Sequence, residues 1–93
     1  MFDDVLERIR QKFRDQQYIV TLHADEEMDD DNLCLNDLER AINTGQILER
    51  QRDKNTGEWK YRICGLSIEG DSIEIIAKLG VTGKVVIITV YAC

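Results

Sequence analysis

Histidine is the side chain whose ordinary pKa best suits proton transfer near neutral pH, and this sequence holds one, His23. It closes the run Tyr18-Ile19-Val20-Thr21-Leu22-His23, where a strand opens into a helix and catalytic groups are commonly presented. Cations to work beside it lie in the second half of the chain. In the stretch from Trp59, alternation puts Lys60 and Arg62 on one face and Trp59, Tyr61 and Ile63 on the other, while Arg50 and Arg52 share a face of the preceding segment. A concave basic stripe of this kind can hold a phosphate and stabilise charge that develops during phosphoryl transfer. Thr89 and Tyr91 near the end add hydrogen-bond donors. The same residues also fit a plainer arrangement: an imidazole capping the next helix or bonding a carbonyl, a solvated sheet face with Glu49, Glu58 and Glu74 as counter-charges, and a tyrosine used for packing.

Other chemistries find less support. The acidic run from Asp25 to Asn32 lacks the glycine at the sixth position and the glutamate at the twelfth that a calcium loop of the EF-hand type needs. Asp29, Asp30 and Asp31 read as an exposed loop or as a surface for a basic partner. Cys34, Cys64 and Cys93 are odd in number and widely spaced, with no Cys-x-x-Cys pair and too little histidine for a zinc cage, so reduced thiols and no metal are expected. No P-loop, dinucleotide fingerprint, His-Glu-x-x-His or activated serine occurs, and no cofactor is implied.

The elements that must position these groups follow from periodicity. Phe2, Val5, Leu6, Ile9 and Phe13 recur as the stripe of an amphipathic helix, with Asp3 and Asp4 near its start and Lys12 and Arg14 near its end, where they suit the macrodipole. Tyr18 to His23 alternates as a strand. Ala24 and Met28 then share a face of a short acidic helix that frays into the following loop. Leu35 to Gly45 carries helix punctuation: Asn36 as candidate N-cap with Glu39 three residues on, Cys34 as the alternative cap two residues earlier, Leu38, Ala41 and Ile42 as the buried stripe, and Gly45 beyond the end. From Gln46 the period becomes 2. Ile47 to Arg52, Trp59 to Cys64, Ser72 to Lys78 and Val85 to Tyr91 read as strands joined by turns, the first a hairpin around Asp53 to Gly57. Val85 to Val90 is apolar on both faces, as expected of a strand with neighbours on both sides and layers above and below. The sum is an α+β fold in which two or three helices cover one face of a curved, mainly antiparallel sheet of about five strands.

Ninety-three residues make one domain, 1–93, with 43% hydrophobic and 32% charged residues. No apolar run is long enough to span a membrane, and the start Met1-Phe2-Asp3-Asp4 lacks the basic flank of a signal peptide, so a cytoplasmic location is expected. The net charge of −6 is unevenly spread: residues 1–40 hold 12 acids against 5 bases, and residues 41–93 hold 6 acids against 7 bases. A local cationic site is therefore compatible with an acidic protein.

The stretch His23-Ala24-Asp25-Glu26-Glu27-Met28, the Leu35-Asn36-Asp37 helix start, Gly45, the Arg50 to Arg62 hairpin and the closing Val86-Ile87-Ile88-Thr89-Val90-Tyr91 together resemble the bacterial family called domain of unknown function 4258, over about residues 18 to 91. That family is similar to the RelE-like toxins, metal-independent ribonucleases of toxin–antitoxin pairs. The resemblance implies RNA cleavage by attack of a 2′-hydroxyl on the adjacent phosphate. It implies His23 as general base or acid, Arg62 and Lys60 as stabilisers of the phosphorane, Tyr91 as a further catalytic group, and Arg50, Arg52, Lys78 and Lys84 as RNA-binding residues. The expected partners are RNA and a cognate antitoxin protein, without a membrane or direct DNA contact. The family usually reads His-Ala-x-Glu-Arg-Met; here His23, Ala24, Glu26 and Met28 fit, and Glu27 replaces the arginine. The rival expectation is a noncatalytic domain of the same fold that binds a basic partner through Asp29, Asp30 and Asp31.

Overall fold

The computed structural model describes residues 2–93. Three helices, α1 (Asp3–Arg14), α2 (Leu22–Asp30) and α3 (Leu35–Thr44), pack on one face of a five-stranded sheet built from β1 (Tyr18–Val20), β2 (Gln46–Arg52), β3 (Trp59–Leu66), β4 (Ser72–Leu79) and β5 (Val85–Ala92). The strand order is β1-β5-β4-β3-β2. β1 runs parallel to β5 and the other pairs are antiparallel, so the α+β expectation holds with one parallel edge.

Alternation in β3 and β4 sends Tyr61, Ile63, Ile73, Ile75 and Ala77 to the helix side, where the last four meet Ile9, Phe13, Leu38 and Ile42 in a core closed to water. The opposite face carries no helix, so β5, whose apolar faces predict a layer above and below, has a helix layer on one face, and Val86 and Ile88 stay partly exposed on the other. Two register shifts modulate the pattern: Leu48 is the extra residue in β2 and Ile88 in β5. The second lets Ile87 and Val90, three apart, both point into the core.

Helix α1 is held in two ways. Its Phe13 ring stacks on Tyr18 of β1 with centroids 4.1 Å apart. Its Arg10 donates from Nε to the Ile42 carbonyl and from Nη2 to the Gly45 carbonyl, both at 3.0 Å, satisfying acceptors left over at the end of α3. Gly65 explains how closely α3 sits on β3, because a Cβ there would overlap the Ala41 carbonyl.

Two expectations are corrected. The strand ends at Val20 rather than His23, because the Thr21 hydroxyl accepts from the Ala24 N–H at 3.1 Å and caps α2 one residue later. His23 therefore lies in the first turn of a helix. The cap of α3 is Cys34, not Asn36, and Asp37 rather than Glu39 completes the capping box: Asp37 Oδ2 accepts from Cys34 N at 2.9 Å and from Cys34 Sγ at 3.3 Å. Asp37 Oδ1 also accepts from Ile68 N at 3.0 Å, which ties the β3–β4 turn to the helix. These backbone bonds hold the Asp37 carboxyl below the usual carboxylate range.

Candidate functional site

On the helix-free face, Arg62 of β3 stands opposite Glu49 of β2, and across β4 the pairing runs from Cys64 through Glu74 to Tyr91 of β5. Arg62 donates from Nε to Glu49 Oε1 at 3.0 Å and from Nη1 to Glu74 Oε1 at 2.8 Å. The Tyr91 hydroxyl donates to the other oxygen of Glu74 in a short contact. The result is a chain of side chains, Glu49–Arg62–Glu74–Tyr91, laid across four strands. The Glu49 hydrogen bond, with Glu74 beside it, raises the Arg62 pKa further. The Glu74 carboxylate, then burial, push the Tyr91 hydroxyl from 10.0 up to about 12, so it stays a proton donor at any physiological pH.

Lys60 and Lys78 share this face by alternation. Lys78 Nζ meets Glu58 Oε1 at 2.9 Å, whereas Lys60 has no carboxylate within ion-pair distance among the described residues. Lys60 lines, with Glu49, Gln51, Arg62 and Ile76, a hollow of only about 40 Å³. The face is thus a surface for an extended ligand and not an enclosed pocket. Lys84 lies in the turn before β5, away from Arg62 along the chain.

Arg50 and Arg52 do not join this group. The hairpin pairs Arg50 with Tyr61 and Arg52 with Trp59, which places both arginines on the helix side of the sheet. There the Arg50 guanidinium lies 4.1 Å from the Trp59 ring centroid and 5.9 Å from that of Phe2, and Arg52 lies 4.4 Å from Trp59. The expected single stripe is two separate sets of cations on opposite faces.

His23 is two-thirds exposed, and its Nε2 is 3.2 Å from Glu27 Oε1 one turn along α2. Glu27 has a second partner, since its Oε1 accepts from the Val90 N–H at 3.2 Å. That bond belongs to a larger arrangement. β1 covers only Val85 to Ile87 of β5, and beyond it Thr21, Glu27 and Asp31, on α2 and its two caps, bond the strand's edge. Thr21 N donates to the Ile87 carbonyl at 3.1 Å, Thr21 Oγ1 to the Ile88 carbonyl at 3.1 Å, and Asp31 Oδ2 accepts from Ala92 N at 3.0 Å. The acid at position 27 does what an arginine cannot: it accepts a hydrogen bond from a sheet edge that would otherwise be left open. Asp31 has the same duty though it stays exposed, so Asp29 and Asp30 are the acids of the expected partner surface that are not tied to β5.

The structure thus brings Arg62 and Tyr91 together through Glu74, sets Lys60 on the same face, and joins His23 to β5 through Glu27, one residue before Tyr91. Glu74 is, with Glu49 and Glu58, a counter-charge of this face as the sequence suggests, whereas the bond from Glu27 to β5 has no local signal. The signal for Glu74 was a lone acid between Ile73 and Ile75 in an apolar strand. Among the described residues no group of three His, Cys, Asp or Glu side chains could hold a metal ion, the three cysteines are unbridged, and no helix is long and apolar enough to cross a membrane.

Comparison with curated proteins and with solved structures returned no match. A family model does match over residues 20–92, from the end of β1 to the end of β5: the chain belongs to the family described as domain of unknown function (DUF4258).

Proposed function

We propose that this protein is a RelE-like endoribonuclease of the toxin type, cleaving RNA through attack of a 2′-hydroxyl on the adjacent phosphate. The observation that carries the reading is the Arg62–Glu74–Tyr91 chain on the helix-free face with Lys60 beside it. One short strip of sheet holds a fixed cation, a free cation and a phenol kept protonated by its neighbour. In the reaction the 2′-oxygen forms its bond to phosphorus as the bond to the 5′-oxygen breaks, leaving a cyclic phosphate and a 5′-hydroxyl. His23, oriented by Glu27, takes the 2′-proton, and Tyr91 supplies a proton to the departing 5′-oxygen. Arg62 and Lys60 stabilise the charge on the phosphorane.

A second reading is favoured by a specific observation: the Arg62 guanidinium is already engaged by two carboxylates, while Asp29 and Asp30 stand exposed. In that reading the domain binds a basic partner and cleaves nothing. Purified protein incubated with single-stranded RNA decides between the two. Cleavage that ends in a 2′,3′-cyclic phosphate, lost in Tyr91→Phe and His23→Ala variants that keep the wild-type circular dichroism, supports the enzyme. Cleavage at the parental rate in both variants removes these residues from the mechanism. No cleavage, together with a salt-sensitive complex lost in an Asp29→Asn, Asp30→Asn double variant, establishes the binder.

A further inference from the structure

The margin where β2 and β3 leave the helices carries three arginines around one indole. Arg50 and Arg52 lie against Trp59, and beside the ring a hollow of about 340 Å³ is lined by Arg8, Glu58, Trp59, Tyr61, Leu79 and Val81. Glu58 is engaged by Lys78, while Arg8, Arg50 and Arg52 have no carboxylate partner among the described residues. The contrast within one hairpin is sharp, because Arg62, on the other face, has two.

Unpaired guanidiniums can simply be solvated, but these two are not free to wander. A guanidinium lying on an indole gives up little hydration, keeps its charge and keeps its N–H groups pointing outward in the ring plane. Arg50 and Arg52 are two residues apart on one strand, their backbones separated by about 7 Å, and both guanidiniums close on the one indole. A pair of fixed cations suits a polyanion. The hollow next to it has aromatic and aliphatic walls, among them Val81, whose side chain is almost wholly exposed at 94%, and is roomy enough to seat a flat ring.

We propose that this margin is a single-stranded nucleic-acid site in which Arg50, Arg52 and Arg8 hold backbone phosphates and a base lies in the neighbouring hollow, beside Trp59 and against Leu79 and Val81. It is separate from the Arg62 chain, being on the opposite face of the same hairpin. In choosing nucleic acid among polyanions it rests on the reading of RNA as the substrate; it adds where the strand outside the scissile bond is held.

The test uses probes the proposed reaction cannot cut: a fluorescein-labelled ten-nucleotide 2′-O-methyl oligouridylate and the matching oligothymidylate, titrated with the intact protein while anisotropy and Trp59 emission are followed. Saturable binding of both is expected, with a change in Trp59 emission. Arg50→Ala, Arg52→Ala together should weaken it at least ~10-fold and lower the slope of log affinity against log salt by about 2. Trp59→Phe keeps a ring in place and guards against misfolding; it should weaken binding by ~3-fold or more. Unchanged affinity in the double arginine variant overturns the proposal, as does the absence of any binding, or uridine monophosphate competing as well as the ten-mer. Failure here is separable from failure of the cleavage reading. Binding without cleavage keeps this site and removes the enzyme, whereas cleavage indifferent to Arg50 and Arg52 keeps the enzyme and removes this site.

Discussion

The two faces of the β2–β3 hairpin solve the same problem in opposite ways. On the helix-free face Arg62 and Lys78 are each met by carboxylates, Glu49 and Glu74 for the first and Glu58 for the second. On the helix side Arg50 and Arg52 are met by the Trp59 ring. Carboxylates fix a cation's position and offset part of its charge; an aromatic ring fixes position and leaves the charge in place. The first arrangement suits a group that must be aimed at a developing charge, and the second suits a group that must attract an anion from solution. A protein with net charge −6 thereby keeps a locally positive edge.

The largest expected effect is a split between the two faces in enzyme kinetics. Arg62→Ala should lower kcat for RNA cleavage by about 100- to 1000-fold, the range for loss of a fixed transition-state donor. Arg52→Ala should raise KM several-fold and leave kcat within a factor of about 3. Steady-state rates on one RNA oligonucleotide measure both, and equal effects on kcat erase the distinction.

A third use of carboxylates, as edge acceptors, gives the next effect. Glu27→Ala leaves the Val90 N–H without its partner and should cost about 1–2 kcal/mol in urea unfolding. Glu26→Ala, one residue away and exposed, should change stability by less than about 0.5 kcal/mol. Matching losses in the two variants would mean that α2 tolerates any loss of acid and does not seal β5.

How far the sequence reveals these arrangements depends on what fixes them. The α1 stripe and the four meander strands are set by apolar periodicity, and Phe2 to Phe13 or Val85 to Val90 suffices to see them. The run His23-Ala24-Asp25-Glu26-Glu27-Met28 is also visible locally. Two things are set at longer range. The face occupied by Arg50 and Arg52 depends on hairpin register, and register depends on the turn: Asp53 Oδ1 accepts from Asn55 N at 2.8 Å and Thr56 N at 3.2 Å, while Asp53 N donates to the Glu58 carbonyl at 2.7 Å. A slip of one residue would have carried both arginines to the Arg62 face. The setting of His23 depends on Thr21, whose run alternates as well as any strand until its hydroxyl is seen to cap α2 and bond the Ile88 carbonyl. The meaning of Glu27 needs β5, sixty-three residues away, to be in place.

Titration of Tyr91 probes the satisfied face without any assumption about RNA. The phenol should ionise near 12, against an ordinary 10.0. Because the folded value is raised, its contribution to stability is complete below about pH 10 and is lost as pH climbs toward 12. Near-ultraviolet difference spectra of the protein against Tyr91→Phe read the transition directly. Glu74→Gln removes the first cause of the shift and should bring the transition back toward 10. A transition unmoved in Glu74→Gln would mean that burial alone holds the proton.

The smallest effect bears most directly on charge against ring. Double-mutant cycles on Lys78–Glu58, 2.9 Å apart, and on Arg52–Trp59, 4.4 Å to the centroid, should each give coupling of about 0.5–1 kcal/mol in dilute buffer. They should part company in salt. At about 1 M the screening length falls to about 3 Å, so the attraction between Lys78 and Glu58 should fall by half or more. The guanidinium stack draws on surface contact and on the ring's quadrupole at close range, and should keep most of its coupling. Urea unfolding of the four proteins of each cycle, at low and high salt, supplies the numbers. If both couplings decline together, Arg52 is held by the same long-range field as Lys78, and the idea of a charge left unspoken for at the hairpin margin fails with it.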